Sequence, residues 1–192
     1  MTIDLTQNIV IIGASAGGPR ILKTIFNKLP LLKCCIIIVQ HMPKFVNEHI
    51  RESLDLSTQM HVKIAKDGEW LKDGVVYIAP SELQIKLNDN RRIRLFEGEK
   101  VNFVCPAVDS IMESMHEDHG SQFMGIILTG MGKDGAAGIS HMKRLGAVTI
   151  AQNQETSVIW GMPKEAIETG DVDWVLSPEE IRKKIIAKFE TI

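Results

Sequence analysis

Ile9-Val10-Ile11-Ile12-Gly13-Ala14-Ser15-Ala16-Gly17-Gly18 is a β-branched apolar run that breaks abruptly into small residues. It does not alternate polar with apolar positions, so it reads as a strand buried on both faces. The glycines then read as a sharp turn into a helix, because glycine adopts backbone angles closed to other residues. The pattern recurs twice. Ile36-Ile37-Ile38-Val39 runs into Gln40-His41-Met42-Pro43, and Phe123 to Leu128 leads to Gly130-Met131-Gly132-Lys133-Asp134-Gly135. In a parallel α/β sheet the loops at the carboxyl ends of the strands converge on one edge, where ligands bind. A serine, a histidine and an aspartate are thereby expected at a single sheet edge.

Outward from these runs, strand-like and helix-like patterns alternate, which predicts an α/β domain with a mainly parallel sheet. Leu29-Pro30 ends the first helix, and a helical stretch is expected from Phe45 to about Leu56. Between Val62 and Phe96 the segments are short. Val62 to Ile64, Val75 to Ala79 and Leu83 to Leu87 read as strands, and Asn88-Asp89-Asn90 as a hairpin turn before Arg92 to Phe96. A small antiparallel extension is therefore expected around 75–96. Beyond Pro106, the spacing of Val108, Ile111, Met112 and Met115 suits a helix face. Ser177 with Glu180 has the spacing of a capping box opening the last helix. There is no repeat, linker or low-complexity tract, so residues 1–192 are expected to form one domain.

The 192 residues are 44% apolar and 24% charged, as in an ordinary globular protein. A formal net charge of -2 gives no reason to expect nucleic acid or an anionic membrane as partner. No apolar stretch approaches the ~20 residues that span a bilayer, so no membrane insertion is expected. The start Met1-Thr2-Ile3-Asp4 lacks the basic-then-apolar order of a signal peptide. Three cysteines, Cys34, Cys35 and Cys105, make neither a disulfide framework nor a metal knuckle, which points to the reducing cytoplasm.

Gly13-Ala14-Ser15-Ala16-Gly17 matches the G-x-S-x-G nucleophile pattern. A strand, glycine turn and helix are equally the shape of a phosphate-binding loop. The dinucleotide form is disfavoured because Ser15 occupies the second glycine position, and a Walker A loop is excluded because Pro19-Arg20 follows the glycines. A serine hydroxyl needs a base, which His41 supplies, and the imidazole needs an acceptor that fixes its tautomer, which Asp134 supplies. The order Ser, His, Asp differs from that of α/β-hydrolases and argues against their fold. His116 and His119 suggest a metal pair, but no third ligand stands out, and neither metal nor cofactor is expected. Met42, Met131 and Trp160-Gly161-Met162-Pro163 suit a pocket lining or plain core packing.

Taken together, Gly13 to Gly18, Val39 to Pro43, Val76-Tyr77-Ile78-Ala79-Pro80, Leu128 to Ala136 and Gly161-Met162-Pro163 resemble the CheB family of chemotaxis protein-glutamate methylesterases. The resemblance covers nearly the whole chain in the same order. It implies a doubly wound, Rossmann-like three-layer α/β fold, with Ser15, His41 and Asp134 as a catalytic triad. Backbone N–H groups of Ala16 and of the Met131 loop are then expected to hold the oxyanion. It also implies hydrolysis of γ-glutamyl methyl esters on methyl-accepting chemoreceptors, deamidation of receptor glutamines, and no cofactor. Family members usually carry a receiver domain ahead of the catalytic one. None is read here, so no response of this chain to small phosphodonors is expected, and control by a separate receiver protein in trans stays open. Ala16 stands where Thr is common, Ala107 where Ser is usual, and Gln84 where a His is common. Two rivals remain at this stage, a non-catalytic receptor-binding module and an esterase or amidase of the same fold with another substrate.

Overall fold

The computed structural model describes residues 8–189 and Thr191. The expectation about the start Met1-Thr2-Ile3-Asp4 lies outside these residues. In chain order the elements are β1 (Asn8–Ala14), α1 (Gly18–Phe26), β2 (Cys35–Gln40), α2 (Asn47–Asp55), β3 (His61–Ile64), β4 (Val75–Ile78), β5 (Gln84–Asn88) and β6 (Arg92–Phe96). They continue with α3 (Val108–Met112), β7 (Gln122–Ile127), α4 (Ala136–Arg144), β8 (Val148–Gln152), α5 (Met162–Glu168), β9 (Trp174–Leu176) and α6 (Pro178–Lys188).

Seven strands form one sheet in the order β3-β4-β2-β1-β7-β8-β9, every neighbouring pair parallel. Successive side chains of a strand point to opposite faces, so the unbroken apolar runs feed two cores at once. Val10, Ile12, Ile36 and Ile38 meet Leu22, Ile25 and Phe26 of α1, Ile50 and Leu54 of α2, and Ile181 and Ile185 of α6. On the other face, Ile9, Ile11, Ile37 and Val39 share a core with Val108 and Ile111 of α3, Ile139 and Met142 of α4, and Met162 and Ala166 of α5. The result is the three-layer, doubly wound arrangement that the family resemblance implies, built on the mainly parallel sheet that the residue pattern predicts.

The antiparallel part is smaller than expected. Val75–Ile78 lies between β2 and β3 and pairs in parallel with both. Only β5 and β6 run antiparallel, as a separate hairpin. A short apolar run records burial but carries no information on strand direction, which the crossover through 65–74 decides here. The hairpin turn falls where Asn88-Asp89-Asn90 places it, with Asp89 and Asn90 both at positive φ. These residue types tolerate that conformation best after glycine. The last helix opens on the expected capping box, Ser177 accepting from the Glu180 amide while Glu180 reaches back to the Ser177 amide.

β1 lies at the centre, with β2 on one side and β7 on the other. The chain winds outward from β1 in one direction and later returns to build the other half. The carboxyl end of β1 is therefore a topological switch point, the place where such sheets open a crevice.

Candidate active site

Ser15, His41 and Asp134 follow the carboxyl ends of β1, β2 and β7. Ala14 is in register with Gln40, and the His41 amide donates to the Ala14 carbonyl at 2.9 Å, which sets Ser15 and His41 on adjacent strand ends. The Ser15 amide donates to the carbonyl of Thr129 at 2.9 Å and so ties the serine turn to the loop carrying Asp134. Gly130 passes so near that a Cβ there would sit 2.7 Å from the Cβ of Ser15 and 2.3 Å from the Met162 sulfur. Any larger residue would push the serine out of place.

The imidazole Nε2 of His41 lies 2.9 Å from Asp134 Oδ2. Asp134 is 2% exposed and has further donors. The amide of Val108 reaches Oδ2 at 2.7 Å, and that of Asp109 reaches Oδ1 at 3.1 Å. Burial alone would raise its pKa, but the hydrogen bonds from His41, Val108 and Asp109 outweigh burial and hold it below the ordinary value of 3.8. With Nε2 committed to Asp134, Nδ1 is the nitrogen left for a base. It is buried without a hydrogen-bond partner, so the Ser15 hydroxyl is not yet bonded to it. Catalytic bonds of this kind are often long before substrate binds.

A folded-state pKa below the unfolded one stabilises the fold. The gain is complete above the unfolded value and is lost as pH falls below about 3.8 through the lower folded value. Asp134→Asn should abolish it, so the stability difference between the two proteins narrows on acidification. Urea unfolding of both from pH 7 down to pH 3 checks this, and a gap that stays constant overturns it.

Three supporting residues act behind this pair. Asp109, in the first turn of α3, accepts from the amides of Gly135 at 2.9 Å and Gly138 at 2.7 Å, which open α4. Asp134, just before α4, accepts from the two amides that open α3. Each helix start is thus closed by a carboxylate from the other, a good place for negative charge. Asn102 donates to both acids, to Asp109 Oδ2 at 2.7 Å and to Asp134 Oδ1 at 3.2 Å. Burial and the neighbouring Asp134 charge push the Asp109 pKa up. Gln40 is buried, and its Nε2 donates to the carbonyls of Ser15 at 2.8 Å and His41 at 3.0 Å, bracing both turns. No local motif marks these contacts, because apart from Gln40 with His41 and Asn102 with Asp109 they join residues at least 25 positions apart.

Ala16 and Met131 are exposed, and their backbone amides make no hydrogen bond within the described residues. Gln84 and Ala107, two of the positions that depart from the family pattern, prove to be partners. The Ala107 amide donates to Gln84 Oε1 at 3.0 Å, and Gln84 Nε2 donates to the Glu99 carbonyl at 2.9 Å. Gln84 therefore pins both ends of the loop that carries Asn102. His116 and His119 are exposed. No group of three or more His, Cys, Asp or Glu side chains is placed to hold a metal among the described residues.

Residues 10–185 match the family described as CheB methylesterase. The chain belongs to the CheB methylesterase family. A protein of Thermotoga maritima named protein-glutamate methylesterase/protein-glutamine glutaminase is 42% identical over 95% of this chain and 54% of its own length. One of the same name from Pyrococcus horikoshii is 40% identical over 95% of this chain and 51% of its own. The chain thus spans about half the length of the curated relatives it matches. The crystal structure of the Thermotoga maritima CheB methylesterase catalytic domain superposes with a TM-score of 0.84 at 41% identity, covering 94% of this chain and 97% of that one. The likeness to this CheB catalytic domain thus extends over nearly all of both chains.

Proposed function

We propose that this chain is a cytoplasmic serine esterase that hydrolyses γ-glutamyl methyl esters on chemoreceptors, releasing methanol, and deamidates receptor glutamines. The observation that carries the reading is the buried 2.9 Å bond between His41 and Asp134, set on the strand end next to Ser15. The family and the names of its relatives agree with it.

In this reading Asp134 accepts the Nε2–H of His41, which leaves the Nδ1 lone pair as the base. That is the reverse of the nitrogen assignment in chymotrypsin-type triads, with the same roles. As Ser15 Oγ bonds to the ester carbonyl carbon, its proton passes to Nδ1. The carbonyl oxygen becomes an oxyanion, stabilised by the unpaired amides of Ala16 and Met131. Collapse breaks the bond to the methoxy oxygen, which takes the proton from the imidazolium and leaves as methanol. Water then attacks the acyl-enzyme with His41 again as base, giving the glutamate carboxylate and free Ser15. With a glutamine substrate the leaving group is ammonia. No step draws on a metal or an organic cofactor.

The experiment is methanol release from a receptor fragment carrying radiolabelled methyl esters. Time-dependent release is expected, and ammonia from the glutamine form. Hydrolysis of a small activated ester without methanol release from the receptor would instead favour an esterase with another substrate. No reaction with either, and no labelling by a serine reagent, would favour a binding module.

A further inference from the structure

Beside the His41–Asp134 pair lies a turn built against local preference. Val101 and Val104 exchange both backbone hydrogen bonds, at 3.1 and 3.0 Å, which leaves Asn102 and Phe103 as a two-residue loop. Both have positive φ, 51° and 68°. That is the pattern of a type I′ turn, which favours Asn or Asp followed by Gly. Asn102 fits the first position. Phe103 occupies the glycine position, where a bulky side chain is a genuine outlier. Strain of this kind persists only where surroundings enforce it, and it clusters at ligand sites.

Here the turn is held through Asn102, which bonds to the buried Asp109 and Asp134, and not by packing of the Phe103 side chain, which is 90% exposed. Its ring borders a cavity of about 510 Å³ shared with Asn102, Gly132, Lys133 and Gly161 and lined also by the charged Lys164 and Glu165. The cavity adjoins the candidate active site, since Asn102 on its wall bonds to Asp134, and Gly132 and Lys133 precede Asp134 in the same loop. Met131, in that loop, is 72% exposed. Two large apolar side chains thus stand in solvent, Phe103 on the wall of the cavity and Met131 in the loop that carries Asp134. A free methyl ester reaching Ser15 needs neither of them, whereas a protein segment carrying that ester also presents neighbouring side chains.

We propose that Phe103 is an aromatic anchor for the protein substrate, packing against an apolar side chain next to the scissile glutamyl ester and seating that segment in the cavity. Asn102, on the same turn, holds the anchor in a fixed position relative to Asp134. The inference deepens the ester-hydrolase reading and rests on it for the identity of the occupant. A fully exposed aromatic at a rigid turn loses little entropy on binding, which is why such residues dominate protein recognition.

The test is Phe103→Gly, which installs the residue the turn prefers and so separates the fold from recognition. The thermal midpoint should stay the same or rise. For the methylated receptor fragment KM should rise roughly tenfold with kcat nearly constant. The ratio of kcat/KM for the fragment to that for p-nitrophenyl acetate should fall by a similar factor. In the Ser15→Ala background, where turnover is blocked, affinity for the fragment by calorimetry should also drop roughly tenfold, and Phe103→Tyr should keep it. Unchanged KM and affinity would overturn the proposal, and so would a fall in thermal midpoint with equal losses on both substrates. Failure of the parent protein to release methanol would sink the ester-hydrolase reading, while the affinity measurement still decides the role of Phe103.

Discussion

Ser15→Ala should lower methanol release by roughly 10⁶-fold, and Asp134→Asn by roughly 10⁴-fold, as found when nucleophile and acid of such triads are removed singly. The difference has a physical source. Without Oγ no acyl-enzyme forms at all. With Asn at 134 the attacking group remains, but the imidazole loses the carboxylate that fixes its tautomer and stabilises its charge. The fold should survive the serine change. The Ser15 turn is held by backbone bonds, from its amide to Thr129 and from Gln40 to its carbonyl, and neither uses the hydroxyl. Rate measurements with the methylated fragment, a serine-directed covalent probe and a thermal melt check all three points. A Ser15→Ala protein that still takes up the probe or turns over at near the parent rate overturns the assignment.

Asp109→Ala should cost about 2–4 kcal/mol of stability, an order of magnitude expected when buried polar partners are stranded. Two donors lose their acceptor, the amides of Gly135 and Gly138, and Asn102 keeps only its longer bond to Asp134. Part of the loss is offset, because a carboxylate that burial pushes towards its protonated form no longer has to be accommodated. Activity should fall as well, since Gly135 adjoins Asp134 and Asn102 bonds to it. Urea unfolding with parallel turnover measurements reads both. A stability change below about 1 kcal/mol would show that water replaces the carboxylate, and that the helix starts do not depend on it.

The central half of the fold is legible in the sequence because strands buried on both faces leave unbroken apolar runs, and because each run is followed by residues a turn requires. Ser15, His41 and Asp134 stand out for the same reason, as each is the reactive residue just past such a run. Val75–Ile78 is less legible, since its parallel pairing with β2 and β3 depends on where the chain returns to the sheet. The helix suggested by Val108, Ile111, Met112 and Met115 ends at Met112, although Met115 stays buried. Asn102 and Asp109 lie 32 and 25 residues from Asp134, in segments with no reactive look of their own. Gln84 and Ala107 read as two independent departures from a pattern, and only the fold reveals that they touch.

The exchange of carboxylates between α3 and α4 has a dynamic consequence. A helix end capped by its own preceding residue can fray alone, at little cost to the rest of the molecule. Here the group that closes α3 stands on the threshold of α4, and the group that closes α4 stands in the first turn of α3. Neither end can open without releasing the other, so the two helix starts form one cooperative opening unit of the kind hydrogen exchange resolves. Asp134 belongs to that unit. The time its carboxylate spends facing the imidazole is then governed by the opening equilibrium of this corner, and destabilising either helix start breaks the His41–Asp134 contact more often without touching Ser15 or His41.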